Sequence, residues 1–124
     1  MKKTQLSIPV DTAFELLKAF LTSKGFTIFA EIDHRENARS ADLDMEESRV
    51  LIFGNPQAGT MLMQKDIFMS LDLPLRLAVV ENEGHTWLVH QESDDFTAQY
   101  QVQGHPVLTK IESLFTVLIA ELNG

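Results

Sequence analysis

Two polar residues that are adjacent in the sequence, Asp33 and His34, have the clearest capacity for acid–base chemistry. An imidazole titrates near neutral pH, and a neighbouring carboxylate can orient it or act as a general base. Adjacent residues of a regular strand point to opposite faces of a sheet, so this pair can cooperate only where the strand has ended. Capping of the following turn is therefore the favoured interpretation, and acid–base catalysis is the alternative.

A second candidate site is the sequence Gly54-Asn55-Pro56, which lies between a predicted strand and a predicted helix. Backbone N–H groups at the beginning of a helix can bind a carboxylate or a phosphate, and Asn55 and Thr60 could add hydrogen bonds. The same residue types also suit a structural role, because Asn caps helices and Pro fits their first turn. The sequence lacks the GxxxxGK[ST] pattern of a phosphate-binding loop, so capping is favoured over anion binding.

The remaining chemistry-bearing residues give little support for a metal or cofactor. The chain has no Cys, which excludes disulfides, thiolate catalysis and Cys-based metal sites. His85 and His90 fall on opposite faces of one predicted strand, and His105 is assigned to helix capping. Methionines of the middle segment are assigned to packing rather than to a soft-metal site, namely Met61, Met63 and Met69. We predict no metal site and no cofactor.

Length and composition limit the classes of protein to consider. The 124 residues fit a single domain, 1–124, and 44% hydrophobic residues are enough to build a core without disulfides. A formal net charge of -8 repels phosphate backbones and anionic lipids, so neither nucleic acid nor a membrane is an expected partner. The sequence shows no signal peptide and no apolar segment near the roughly 20 residues of a membrane span. A soluble, cytoplasmic protein is expected.

Hydrophobic patterning predicts an irregular succession of strands and helices, which is typical of an α+β fold rather than a doubly wound sheet. The predicted elements are a strand at Thr4–Ile8, a helix at Asp11–Lys24, a strand at Phe26–Ile32, one helical turn near Asn37–Ala41, a strand at Arg49–Phe53, a helix at Ala58–Ser70, a hairpin of Leu75–Glu81 with His85–Gln91, and a long helix from Pro106 to Leu122.

One predicted strand, Arg49–Phe53, carries apolar residues on both faces. Helices can cover one face of a small sheet, so the other face must meet a partner subunit, a long connection or a ligand. This surplus of apolar surface calls for one of these three covers and, taken together with the resemblance described next, predicts a homodimer.

Three segments resemble the family called domain of unknown function 302, and the similarity covers nearly the whole chain. They are Phe26–His34 (FTIFAEIDH), Leu51–Gln64 (LIFGNPQAGTMLMQ) and Leu71–Leu75 (LDLPL). The resemblance implies a small bacterial or archaeal α+β domain with a TBP-like, curved antiparallel sheet packed against helices, often paired as a dimer. It implies no activity. Met61 and His90 depart from the family pattern, which frequently has a proline and an aromatic residue at those positions.

Two functions follow from these observations. The first is a noncatalytic homodimeric module that binds a small apolar or anionic molecule, or a protein partner, with Asn55, Thr60 and His34 as the candidate binding residues. The alternative is a small enzyme that uses Asp33 and His34 as acid and base, with Asn55 as a polar anchor. The missing catalytic set favours the first function.

Overall fold

The computed structural model describes residues 1–123, which form five strands, five α-helices and one 3-10 helix. The strands are β1 (Lys2–Leu6), β2 (Thr27–Asp33), β3 (Ser48–Gly54), β4 (Leu75–Asn82) and β5 (His85–His90). The helices are α1 (Val10–Ser23), α2 (His34–Ser40), α3 (Pro56–Lys65), α4 (Ser93–Gln99) and α5 (Pro106–Asn123), and the 3-10 helix is Ile67–Asp72.

The five strands form one antiparallel sheet in the order β1-β5-β4-β3-β2. A tight turn joins β4 to β5, and its Gly84 has a φ of 79°, a left-handed conformation that suits glycine. Helices pack on the sheet, and the longest of them, α5, ends the described chain. The predicted α+β class with an antiparallel sheet and a long C-terminal helix is confirmed.

A single hydrophobic core lies between the helices and one face of the sheet. Phe53 is at its centre, with its ring 5.9 Å from that of Phe26 and 6.3 Å from that of Phe115, both in edge-to-face geometry. The largest fully buried side chains of the core come from α1, from three strands, from the later helices and from the segment between α4 and α5: Phe14, Leu17, Leu21, Leu51, Phe53, Leu62, Met69, Leu77, Val79, Leu88, Val102 and Leu118.

Strand β2 contains a bulge that the sequence pattern does not reveal. The register with β3 shifts between Ile28 and Ala30, so that Ile28 opposes Phe53 while Ala30 opposes Ile52. An extra residue in one strand reverses the alternation of faces beyond it. A regular strand at Phe26–Ile32 would place Ile28 and Ala30 on the same face; instead, Ile28 lies on the core side and Ala30 on the opposite side.

The predicted helix Ala58–Ser70 is also wrong as a single element. Helix α3 ends at Lys65, and Asp66 caps the 3-10 helix by accepting a hydrogen bond from the N–H of Phe68 at 3.0 Å. The other carboxylate oxygen of Asp66 accepts from the N–H of Gln101 at 2.8 Å. One side chain thus begins the 3-10 helix and joins it to the segment after α4.

Helix α4 was not among the predicted elements, although its start carries a recognisable signal. The Asp95 carboxylate accepts a hydrogen bond from the N–H of Glu92 at 2.8 Å, and the two residues form a capping box. Phe96 is the buried residue of this helix, and a single buried apolar residue does not show a helical period in the sequence.

Candidate functional site: an apolar pocket beside helix α3

An apolar pocket lies where the ends of β2 and β3 meet α3 and α5. Its volume is about 240 Å³. Its walls come from segments far apart in the sequence: Phe26, Phe29, Gly54, Asn55, Pro56, Ala58, Gly59, Thr60, Leu62, Met63, Leu73, Pro74, Leu75, Val107 and Ile111. The pocket includes two of the predicted binding residues, Asn55 and Thr60.

Asn55 acts as the cap of α3. Its Oδ1 accepts hydrogen bonds from the N–H of Gln57 at 2.9 Å and of Ala58 at 3.3 Å, while its backbone carbonyl accepts from the N–H of Gly59 at 2.9 Å. Pro56 has no N–H. The first-turn donors on which the anion prediction depends are therefore bonded within the chain, as the capping interpretation expects.

Thr60 is also engaged locally, because its Oγ1 donates a hydrogen bond to the carbonyl of Pro56 at 2.7 Å. On the next turn, the Met63 sulfur accepts from the Ser70 hydroxyl at 3.2 Å. These bonds hold the polar atoms of α3 in place. The surface that faces the pocket is consequently dominated by carbon atoms.

None of the side chains that line the pocket is ionisable, although 23% of the residues in this chain are charged. An ion placed there would give up part of its hydration without gaining an oppositely charged partner, which is unfavourable. The pocket is therefore suited to an uncharged molecule.

Asp33 and His34 lie outside this pocket. Asp33 caps α2 by accepting a hydrogen bond from the N–H of Glu36 at 3.0 Å, and His34 is the exposed first residue of that helix. The structure thus assigns Asp33 the capping role that was favoured from the sequence. It does not bring His34 into the pocket with Asn55 and Thr60.

A separate polar pocket of about 120 Å³ lies next to α2 and contains Asp11, Asp33, Arg35 and Glu47. Burial raises the pKa of the Glu47 carboxyl, and the nearby Asp11 carboxylate raises it further, whereas Arg35 lowers it. The Arg35 Nη1 lies 3.5 Å from a Glu47 carboxylate oxygen. Acidic and basic groups are mixed here, which is typical of a structural ion-pair network.

His90 is the one polar residue among the buried side chains of the described residues, with 7% of its surface exposed. Its ring stacks on Phe115, with centroids 3.7 Å apart and planes within 3°. Since Nδ1 lies 3.0 Å from the carbonyl of Gln91, which can only accept, Nδ1 carries the proton. Burial lowers the pKa of His90, and the bond to Gln91 opposes that effect.

Neither a metal-binding cluster nor a membrane-spanning helix is found within residues 1–123. No three His, Cys, Asp or Glu side chains in this range come together as a metal-binding group would. Within the same range, every helix is too short or too polar to cross a bilayer.

Sequence reasoning missed most of the pocket. Phe26 belongs to a predicted strand and Val107 and Ile111 to a predicted helix, and the sequence does not set them apart, because an apolar residue is the same in a core and in a pocket wall. Phe29 is distinctive in the structure, since a large aromatic residue that is 50% exposed on a strand is unusual. That exposure, however, is visible only in the folded chain.

Comparison with known proteins gives both relatives and a similar structure. The chain is 40% identical over 80 residues to the fluoride-specific ion channel FluC 1 of Brucella suis biovar 1 (strain 1330), an alignment that covers 64% of this chain and 32% of that protein. FluC 2 of Brucella melitensis biotype 1 matches with the same identity, and 30% of its length is covered. The aligned region thus spans about a third of these relatives.

A crystal structure of an uncharacterized conserved protein DUF302 from Bacillus stearothermophilus has the same fold. Its TM-score is 0.75 at 19% identity, and the superposition covers 98% of this chain and 94% of that one. The sequence profile described as "Domain of unknown function DUF302" matches residues 2–118. With nearly the whole chain matched and the fold shared, this protein belongs to the DUF302 family.

Proposed function

We propose that this chain is a noncatalytic cytoplasmic module that pairs with a second copy of itself and binds a small molecule. The observation that carries the pairing is the sheet face opposite the core. Its apolar residues are half-buried and lie outside the hydrophobic core cluster: Ile32, Val50, Ile52, Ala78, Val80, Trp87 and Val89.

The strand registers place these side chains on one continuous surface. Val50 of β3 opposes Ala78 of β4, which opposes Val89 of β5, and Val80 opposes Trp87. Because the helices occupy the other face, this surface is free to meet a partner sheet. Two sheets stacked face to face lie about 10 Å apart and interdigitate such side chains.

Charge favours a second copy as the occupant of this face. The charged residues on it are Lys3 and Arg76, and the carboxylates of the neighbouring strands, such as Glu31 and Glu81, alternate onto the core side. Elsewhere, a chain with a net charge of -8 repels its own copy. None of the five strands directs a carboxylate to this face, and its Arg76 is paired with Asp72 at 3.3 Å, so two copies approach there at a low electrostatic cost.

Sedimentation velocity at micromolar concentration tests the pairing. The wild-type chain should sediment at twice the 14.0 kDa chain mass, and Val50→Lys should convert it to a monomer. Leu16→Lys is the matched control, because Leu16 is an exposed apolar residue on α1 and should leave the dimer intact. A wild-type chain that sediments at 14.0 kDa throughout the concentration series would refute the proposal.

The channel relatives favour a second candidate function, that of an accessory module of a membrane ion channel. Proteins named fluoride-specific ion channels contain a region 40% identical to this chain and extend well beyond it. Fluoride flux into liposomes should then differ between the full-length Brucella suis relative and a variant lacking the matched 80 residues. This chain, added to the shortened variant, should restore the difference. Equal flux in all three samples would exclude the function.

A further inference from the structure

We infer that the pocket beside α3 accepts a neutral, ring-sized apolar molecule that carries one hydrogen-bonding group. This inference deepens the proposed small-molecule binding and rests on it. It is independent of the pairing of two copies, because the pocket lies at the α3 end of the sheet. Its walls do not include the apolar residues proposed for pairing on the sheet face opposite the core.

The size of the pocket sets the size of the ligand. An apolar protein cavity of about 150 Å³ holds one benzene molecule. At about 240 Å³, this pocket has room for a molecule with two fused rings. Phe29 adds to the argument, because its ring is 50% exposed at the wall and a bound ring would cover part of that surface.

The charge of the ligand follows from the walls. The lining side chains offer no cation and no anion, and the first-turn N–H groups of Gln57, Ala58 and Gly59 are bonded to Asn55. A carboxylate in the pocket would therefore give up water and find neither a cation nor a free first-turn N–H group, and the amide of Asn55 alone does not replace the hydration of a charge. A neutral molecule of the same shape avoids this cost.

The position of the polar group follows from Asn55 and Thr60. Because Asn55 Oδ1 is engaged in capping, Nδ2 remains as its donor, and no acceptor for it is found within residues 1–123. The Thr60 hydroxyl donates its proton to Pro56 and keeps lone pairs that can accept. A ligand hydroxyl is the chemical match to these groups, since a hydroxyl can accept from the Asn55 amide and can donate to the Thr60 oxygen.

A larger side chain substituted at Gly59 can fill the pocket without removing an existing contact. A Cβ built at this helical position meets no heavy atom within 4 Å. Leucine has a much higher helix propensity than glycine, so Gly59→Leu extends a side chain along the pocket wall while it favours the helix. Gly59→Ala is the matched control, because it changes the propensity and adds a methyl group alone.

Amide NMR titrations with 2-naphthol and 2-naphthoate at pH 7 test the inference, because the two probes share a ring system and differ in charge. We expect 2-naphthol to shift the amide signals of Gly59 and Met63 saturably and 2-naphthoate to bind at least tenfold more weakly. Gly59→Leu should lose at least tenfold in 2-naphthol affinity with an equal or higher melting temperature, and Gly59→Ala should bind as the wild type does.

Three results would overturn the inference: no saturable shift with 2-naphthol, 2-naphthoate binding equal to or tighter than 2-naphthol, or full binding by folded Gly59→Leu. Sedimentation of the same samples separates this outcome from that of the pairing. A dimer that binds neither probe refutes the ligand inference alone, and a monomer that binds 2-naphthol refutes the pairing alone.

Discussion

Acidification should destabilise this protein through His90. The imidazole is held neutral in the folded chain, stacked on Phe115, with its Nε2 buried and without a hydrogen-bond partner among residues 1–123. Burial lowers its pKa, the carbonyl of Gln91 raises it, Lys2 on the paired strand lowers it and Glu92 raises it. The net effect is a folded pKa below that of the unfolded chain.

The sign of the pH dependence follows from which state binds the proton first. As the pH falls through the unfolded value of about 6.5, the unfolded chain takes up a proton that the folded chain does not. The contribution of His90 to the free energy of unfolding therefore decreases as the pH falls below that value, and this contribution is constant well above it. In the limit where folded His90 takes up no proton, the loss is about 1 kcal/mol between pH 6.5 and 5.5.

Urea denaturation at pH 7.5, 6.5 and 5.5 measures this loss, with His90→Phe as the comparison. Phenylalanine retains an aromatic ring against Phe115 but does not titrate. The free energy of unfolding of the wild type minus that of the variant should therefore fall by up to about 1 kcal/mol between pH 6.5 and 5.5. The carboxylates common to both proteins cancel in this difference. His85→Phe should keep the wild-type fall, because His90 is still present.

A difference between wild type and His90→Phe that stays constant from pH 7.5 to 5.5 would refute the reasoning. It would mean that folded His90 takes up its proton as readily as the unfolded chain does. The stack on Phe115 would then tolerate an imidazolium, and the buried Nε2 would have access to water.

Three further substitutions test the elements that build the pocket and the core. Asn55→Ala should lower the free energy of unfolding by about 1 kcal/mol, because the N–H groups of Gln57 and Ala58 lose their acceptor; an unchanged urea midpoint would contradict the capping role. Asp66→Ala should cost about 1–2 kcal/mol in the same assay, since it removes both the cap of the 3-10 helix and the bond to Gln101, and amide exchange at Phe68 and Gln101 should accelerate together. Phe53→Ala should cost about 3–5 kcal/mol because this ring is fully buried between Phe26 and Phe115, and a loss below about 1 kcal/mol in thermal unfolding would show that the site is not packed as described.

The parts of the fold that depend on neighbouring residues were predictable from the sequence. Asn55 and Pro56 begin a helix because their own chemistry suits a cap and a first turn, and the structure confirms this role. His105 likewise was assigned to capping, and its Nδ1 accepts from the N–H of Val107 at 3.1 Å. The apolar stripe of α5 has a helical period over several turns, so a long helix there was a firm expectation.

Features that depend on distant partners were not predictable. The bulge at Phe29 is defined by the register of β2 against β3, and the residues of β2 alone do not show where this strand contains an unpaired residue. The pocket has the same origin, because Phe26 meets Val107 and Ile111 only after the sheet and α5 have packed. Asp33 illustrates the intermediate case, in which a catalytic and a capping role use the same residue type and only its bond to Glu36 decides.

The strand order has a consequence for how the chain is synthesised. Strand β1 is made first, yet Lys2 opposes His90 and Leu6 opposes Thr86. Strand β1 therefore stays unpaired during synthesis until β5, about 80 residues later in the chain, has emerged from the ribosome. The hairpin of β4 with β5, whose strands are close in sequence, can form before β1 joins it. Until then β5 has an unpaired edge, and nascent chains that stall before β1 docks are the species most exposed to mispairing.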